Sequence, residues 1–377
     1  MDLKELQQNW EDLAKKDAMW AVLTGPAGER REWNVEAFFQ SGVDEINMIL
    51  GRLREAGATI GSARALDFGC GVGRLTQALC GHFERADGVD IAASMLDQAR
   101  KLNRFGERCT YHLNQTDDLS VFPGDTFDFI YSNITLQHME PRYSRRYIEE
   151  FFRIVRPGGA VVFQIPGRLI PTAHAVTRSP DPLPAAAAQA SIEPPATKLR
   201  CAPGALVPLH VIVRNSGTQL WPALAEDDGS YSVRLGNHWF GRGGWRFSKL
   251  HWRLHAFDDA RAALQHDVGP GEVVGIGLLV TAPIEPGTYR LELDMVQENV
   301  RWFAQAGSPI AQIEVQVDAK LPRDAVEGLP PRMEMHGIPR PEVEALIASC
   351  GGVVLAADAD DAPGRDWESF RYFSVHS

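Results

Sequence analysis

The eleven residues ALDFGCGVGRL, Ala65 to Leu75, constrain this 377-residue chain more than any other stretch. Ala65, Leu66 and Phe68 predict a short buried strand, and Gly69, Gly71 and Gly73 predict a tight turn at its end. A backbone without Cβ atoms turns sharply and lets a ligand come close to the main chain. The helix predicted from about Arg74 points its unpaired N–H groups at that turn, where they favour an anion. The rest of the chain has to supply the context that says which ligand this turn serves.

Strands and helices alternate on both sides of the turn. Ala86 to Val89 read as a second strand ending on Asp90, 17 residues after Gly73. Residues 109–113 read as a third strand, FDFIYS from Phe127 as a fourth and AVVFQIP from Ala160 as a fifth. Before the fifth, Tyr147, Ile148, Phe151, Phe152 and Val155 form the apolar stripe of a helix that Gly158 and Gly159 are expected to stop. Upstream, Leu3, Leu6, Trp10 and Leu13 recur at helical spacing, and a second helix runs to Gly57. Such alternation demands an α/β fold with a parallel sheet covered on both faces. Trp10, Trp20 and Trp33 either pack onto that sheet or cap a ligand held at its edge.

The glycine spacing separates two cofactor classes. Dinucleotide enzymes want G-x-G-x-x-G, whereas here the third glycine comes one residue early and Asp67 precedes the run. With Asp90 in place and the wording FDxIxSNxxLQH over Phe127 to His138, the chain resembles the class I S-adenosylmethionine (SAM) methyltransferases. The resemblance implies a Rossmann-like seven-stranded sheet whose last strand is antiparallel. It implies SAM as cofactor, with Asp67 orienting the glycine turn or meeting the amino group of the methionine moiety. Gly69, Cys70, Gly71 and Gly73 would form the turn beside the cofactor, and Asp90, followed by Ile91, would hold the ribose diol. Met95 corresponds to a residue that packs on adenine or simply within its helix. Asn114, Gln115 and Thr116 occupy the segment that reads the adenine amino group, with the register open, and Asn133 would lie near the transferred methyl.

A base is harder to place. His138 follows the fourth strand, at the sheet edge where ligands bind, and its titration range suits proton removal from a hydroxyl. Arg142, Tyr143 and Trp367 are candidates for the acceptor pocket, as is Arg371, with surface placement or plain packing as the alternative. No metal-binding constellation is visible among the eleven dispersed histidines.

Beyond the fifth strand the pattern changes. Residues 171–198 are rich in Pro and Ala and read as a linker. From 199 to 318 short alternating runs are separated by turns such as Gly-Pro-Gly (269–271) and Glu-Pro-Gly (285–287), the spacing of a β-sandwich. This segment resembles the immunoglobulin-like accessory domains of bacterial carbohydrate-associated proteins. Its aromatic cluster Trp221, Trp239, Phe240, Trp245, Trp252 and Trp302 either packs its core or presents sugar-stacking rings. After 319 a helix and two strands return. The expected organisation is therefore discontinuous: 1–170 and 319–377 form one methyltransferase domain, the all-β domain is inserted between them, and Phe370 to Val375 pair in the same sheet as Val161 to Phe163.

A net charge of −11 argues against nucleic acid as the main partner. Five scattered cysteines without a CxxC, no signal-peptide core and no run of 18 apolar residues point to a cytoplasmic protein without a membrane span. The leading functional expectation is SAM-dependent O-methylation of a sugar or polysaccharide acceptor, aided by the β domain. The rivals are a small-molecule methyltransferase whose β domain forms a homo-oligomer, and a catalytically silent binding protein of the same fold.

Overall fold

The structure is a computed structural model and describes residues 1–23, 34–170, 181–223, 231–242, 252–254, 260–364 and 367–377. It divides into two compact units, Met1–Ile170 with Pro331–Ser377, and Pro171–Pro330.

In the first unit the helices are α1 (Leu3–Val22), α2 (Val35–Glu55), α3 (Arg74–Leu79), α4 (Ala93–Leu102), α5 (Pro141–Ile154) and α6 (Arg340–Ser349). The strands are β1 (Arg64–Phe68), β2 (Arg85–Asp90), β3 (Cys109–Leu113), β4 (Phe127–Ser132), β5 (Val155–Leu169), β6 (Gly352–Ala359) and β7 (Trp367–His376). They form one seven-stranded sheet in the order β6-β7-β5-β4-β1-β2-β3. The strand β1 lies inside the sheet, parallel to its neighbours β2 and β4, so the glycine turn leaves the sheet between two other strand ends.

The sheet is closed by strands that come from beyond the second unit in sequence. The last strand, β7, runs antiparallel to both β5 and β6, with Tyr372 opposite Phe163, Phe373 opposite Val162 and Ser374 opposite Val161. This is the pairing expected from the resemblance, which implies two strands beyond the fifth with the last antiparallel. Helices cover both faces, so residues pointing to either side at the centre of the sheet are apolar and buried. Leu66, Ile130, Phe163 and Tyr372 pack with α5 and α6, while Ala65, Phe129, Val162 and Phe373 pack with α2 and α3.

One local expectation fails. Helix α5 ends at Ile154, before the glycine pair, and β5 begins at once with Val155 opposite Phe127. The register then shifts before Phe129 meets Ala160. Gly158, at φ 77°, and Gly159, where a Cβ would stand 2.9 Å from the Asp128 carbonyl, admit this irregularity in the strand. They serve the strand and not the helix end.

The named elements of the second unit are strands apart from one 3₁₀ turn. Among the described residues eight strands form one sheet, around Val233–Arg242, Gly287–Gln297 and Ala311–Val317, and three form another, Val273–Thr281, Leu206–Asn215 and Ala190–Glu193. Both send alternate residues into a common core: Leu209 and Val211 from the small sheet, Trp239, Leu291 and Ile313 from the large one, joined by Trp221.

The linker expectation needs correction for 181–198. Leu183, Ala187, Ala188 and Ala190 are buried in this core, Ser191 pairs with Arg214 and Lys198 with Glu314. Small alanine side chains let backbone approach backbone, and the Ala187 carbonyl accepts the Trp221 indole N–H at 2.9 Å. Composition alone reads such a segment as unpacked. At the other boundary Val326 pairs with Cys201, so 319–330 belongs with the β unit. Residues 171–180, Trp33 and Trp245 lie outside the described residues, as does the side chain of Trp252.

Candidate functional site

A cavity opens at the carboxyl ends of β1, β2, β3 and β4, within the first unit, enclosing about 910 Å³ of space with its mouth included. The glycine turn forms one wall. Gly69 has φ 76° and a Cβ there would stand 2.2 Å from the Thr135 hydroxyl oxygen; Gly71 has φ 51° and its Cβ would stand 2.5 Å from Val22 of α1. These two glycines therefore admit the chain after β4 and the end of α1 directly onto the main chain. Gly73 caps α3 and faces the Tyr111 hydroxyl, outside the cavity wall.

Asp90 ties the turn to the end of β2. Its two carboxylate oxygens accept the Gly71 N–H at 2.8 Å and the Ala92 N–H at 2.9 Å. Burial raises its pKa, against the lowering effect of those backbone bonds. Ile91 and Met95 continue the wall beside it. Cys70 also lines the cavity, and burial holds its thiol well above the ordinary range. Asp67 does not reach the wall. It is buried, accepts the Thr76 hydroxyl at 2.7 Å, and desolvation pushes its carboxyl up to about 7.

Of the three candidates after β3, Asn114 alone lines the cavity. Its amide nitrogen donates to the Thr116 and Asp118 carbonyls at 3.1 and 2.9 Å. Gln115 and Thr116 are exposed outside the wall. Asn133 lines the opposite side, and both ends of its amide are engaged. Its nitrogen donates to Glu45 at 2.7 Å and its oxygen accepts from Arg371 at 3.1 Å.

His138 lines the cavity, edge-on to the Trp10 indole with ring centroids 5.4 Å apart. Its Nδ1 lies 2.9 Å from the Glu334 carbonyl oxygen, so this nitrogen carries the proton and donates. Desolvation lowers the His138 pKa to about 4, leaving the ring neutral near pH 7.

The expected acceptor group is not assembled at this cavity. Arg142 lies on the exposed first turn of α5, its guanidinium 4.6 Å from the Tyr143 ring centre and 3.0 Å from Glu140. Trp367 pairs with Leu169, six residues along β5 from Phe163, where β4 stops. The extension of β5 carries it past the cavity, and neither it nor Arg142 nor Tyr143 is in the wall.

Several wall-building residues carry no motif. Glu45 of α2 accepts from Arg74 at 2.7 Å, from the Tyr131 hydroxyl at 2.8 Å and from Asn133. Glu11 of α1 accepts the N–H groups of Ala93 and Ser94, capping α4, which has no cap of its own. Ile134 holds φ 53°, a strained conformation for a β-branched residue, and its N–H donates to Gln164 at 3.2 Å. A polar residue inside the apolar stripe of α2 is the one sequence signal that marks Glu45. Among the described residues no group of three or more His, Cys, Asp or Glu side chains is placed to hold a metal, and no helix is long and apolar enough to cross a membrane.

Residues 65–159 match the family model described as a methyltransferase domain. A ubiquinone biosynthesis O-methyltransferase of Coxiella burnetii is 28% identical over 166 residues, 43% of this chain and 64% of that protein. A malonyl-[acyl-carrier protein] O-methyltransferase of Salmonella typhimurium is 33% identical over 103 residues, 27% of this chain and 38% of that protein. The chain thus spans less than two thirds of the length of either relative. Among solved structures, the CcbJ methyltransferase of Streptomyces caelestis is similar at 10% identity, with 99% of each chain covered and a TM-score of 0.43. Over residues 65–159 the chain is thus similar to methyltransferase domains, and SAM is the cofactor that its sequence motifs lead one to expect.

The wall suits that cofactor. Asp90 stands at the edge of the cavity with lone pairs beyond the two it commits to backbone. Ile91 and Met95 offer an apolar surface for a purine, and Gly69 and Gly71 put main chain into the wall beside Thr135 and Val22.

Proposed function

We propose that the protein is a SAM-dependent O-methyltransferase acting on a hydroxyl of a small organic acceptor. The observation that carries this reading is Asp90 bound to the glycine turn at the edge of one cavity. In this reading Asp90 accepts the ribose hydroxyls, Ile91 and Met95 pack on adenine, and Asn114 marks the far end of the base. Gly69 and Gly71 bring main chain against the amino-acid end, and Asp67 fixes the turn from below through Thr76. The bound cofactor supplies a methyl group already activated on a sulfonium, so the protein mainly has to align the acceptor oxygen and exclude water. The Leu6, Trp10 and Met139 side chains give the cavity an apolar end for an acceptor, and His138 is the candidate to take its proton. A base with a pKa near 4 is weak, which puts the weight on alignment. The similarity to O-methyltransferases supports oxygen as the methylated atom.

A sugar or polysaccharide acceptor, recruited by the second unit as an immunoglobulin-like sandwich, is the second reading. It is favoured by Trp302, half-buried on the large sheet, with the Arg261 guanidinium 4.3 Å from its ring centre and His238 at 4.1 Å. A cytoplasmic location and a homo-oligomer belong to the same set of proposals, the first on the scattered cysteines. Isothermal titration of the full chain with SAM tests the main reading. Saturable binding is expected, and no binding overturns it in favour of a silent scaffold. Transfer of labelled methyl to a panel of phenols and monosaccharides then separates the two acceptor classes.

A further inference from the structure

We infer that Glu45 is a positioning residue for cofactor binding, and that Arg74, which it holds, is the specificity-determining residue that takes the cofactor's carboxylate. The inference rests on the assignment of SAM to this cavity.

Arg74 is the first residue of α3 and lines the cavity, yet it is only 3% exposed. Its Nη2 donates to Glu45 at 2.7 Å and its Nη1 to the Ser41 hydroxyl at 3.3 Å. The Nε is buried without any hydrogen-bond partner. A buried guanidinium N–H without an acceptor is costly, and such a group in a cavity wall is a place for a ligand acceptor.

Glu45 does not fill that role. One of its oxygens takes the Tyr131 hydroxyl and the Asn133 amide, and the other takes Arg74 Nη2. Three donors from α3, β4 and the turn after β4 thus converge on one carboxylate from α2. That arrangement fixes the position of Arg74 relative to Asn133.

The other ionisable groups of the wall do not compete for an anion. Asp90 is itself an acceptor, His138 is a neutral ring, and Arg74 is the cation of the cavity wall among the described residues. A carboxylate is the planar acceptor a guanidinium fits best. SAM carries one carboxylate, on its amino-acid end.

The test compares SAM with decarboxylated SAM, which keeps the nucleoside, sulfonium and amine, by calorimetric titration of the full chain. Wild type is expected to prefer SAM by about 10- to 100-fold, the range of a charge-assisted hydrogen bond. Arg74→Met should lose that preference by weakening SAM while leaving the decarboxylated ligand within about twofold, and Arg74→Lys should keep part of it. Glu45→Gln retains the shape of the side chain and should narrow the preference without abolishing binding of either ligand. A merely structural role would weaken both ligands alike, and that result overturns the inference, as does a wild type that binds both equally. If wild type binds neither, the assignment of SAM falls with it.

Discussion

At the residue scale, Asp67 and His138 are buried titratable groups displaced in opposite directions. Asp67 titrates near 7 in the fold against 3.8 when free, because burial disfavours its charge. The folded state therefore binds the extra proton between those values, and the stability this gives is lost as pH rises from about 4 to 7. His138 titrates near 4 against 6.5, again through burial, so the unfolded state binds the extra proton and stability is lost as pH falls from 6.5 to 4. Each slope is about 1.4 kcal/mol per pH unit, and they oppose one another over most of the same window. Asp67→Asn should unmask the histidine, giving a stability that climbs between pH 4 and 6.5. His138→Gln should unmask the aspartate, giving one that declines over that range. Urea unfolding at four pH values checks both, and parallel pH curves for the two variants would contradict the assignment. The glycine turn makes a separate prediction. Gly69→Ala combines a left-handed φ with a Cβ 2.2 Å from Thr135, and should cost about 1–3 kcal/mol with at least a tenfold loss of SAM affinity by calorimetry.

At the element scale, α1 is the part of the first unit that both covers the cavity and stabilises its wall. Leu3, Leu6 and Trp10 line the cavity from the start of α1, and Ala21 and Val22 from its end beyond the non-helical Asp17, while Glu11 caps α4. Removing that cap by Glu11→Ala should cost about 1 kcal/mol of stability and weaken SAM binding, since α4 carries Met95. The two described tryptophans of α1 divide the packing and capping readings between them. Trp10 lines the cavity against His138, whereas Trp20 packs with Phe38, Phe39 and Met95 outside the wall. Trp10→Ala is expected to lower ligand affinity beyond its effect on melting temperature, and Trp20→Ala to act on melting temperature alone. Equal effects of the two on affinity would remove the capping role from Trp10.

At the scale of the whole molecule, the first unit depends on chain that lies beyond the second. Between β5 and β6, β7 forms hydrogen bonds to both, and Tyr372 and Phe373 are buried in its two faces. The Arg371 side chain reaches Asn133 in the cavity wall and pairs with Asp360 at 2.7 Å. A chain ending before Pro339 lacks α6, β6 and β7 and leaves β5 as an unpaired apolar edge. It should lose cooperative unfolding, measured by circular dichroism, and SAM binding with it. A truncated form with full SAM affinity would show that the cavity forms without the returning strands.

The sequence by itself determined what is local. Apolar runs located β1 through β4 within about a residue, three glycines marked the turn, and Asp90 stood at the end of its strand. The resemblance to a seven-stranded fold also implied that the tail returns to the sheet, since the first 170 residues supply five strands. Only the tertiary structure decided the partners. Glu45 meets Arg74, Tyr131 and Asn133 across separations of 29, 86 and 88 residues, and Arg371 meets Asn133 across 238. No periodicity encodes such pairs, since they depend on which helix lies over which strand end. The same reason explains the misplaced acceptor residues and the alanine-rich segment that packs where composition predicted a linker. Residue type and spacing set the elements, whereas the depth and neighbours of a side chain exist only once the sheet has closed.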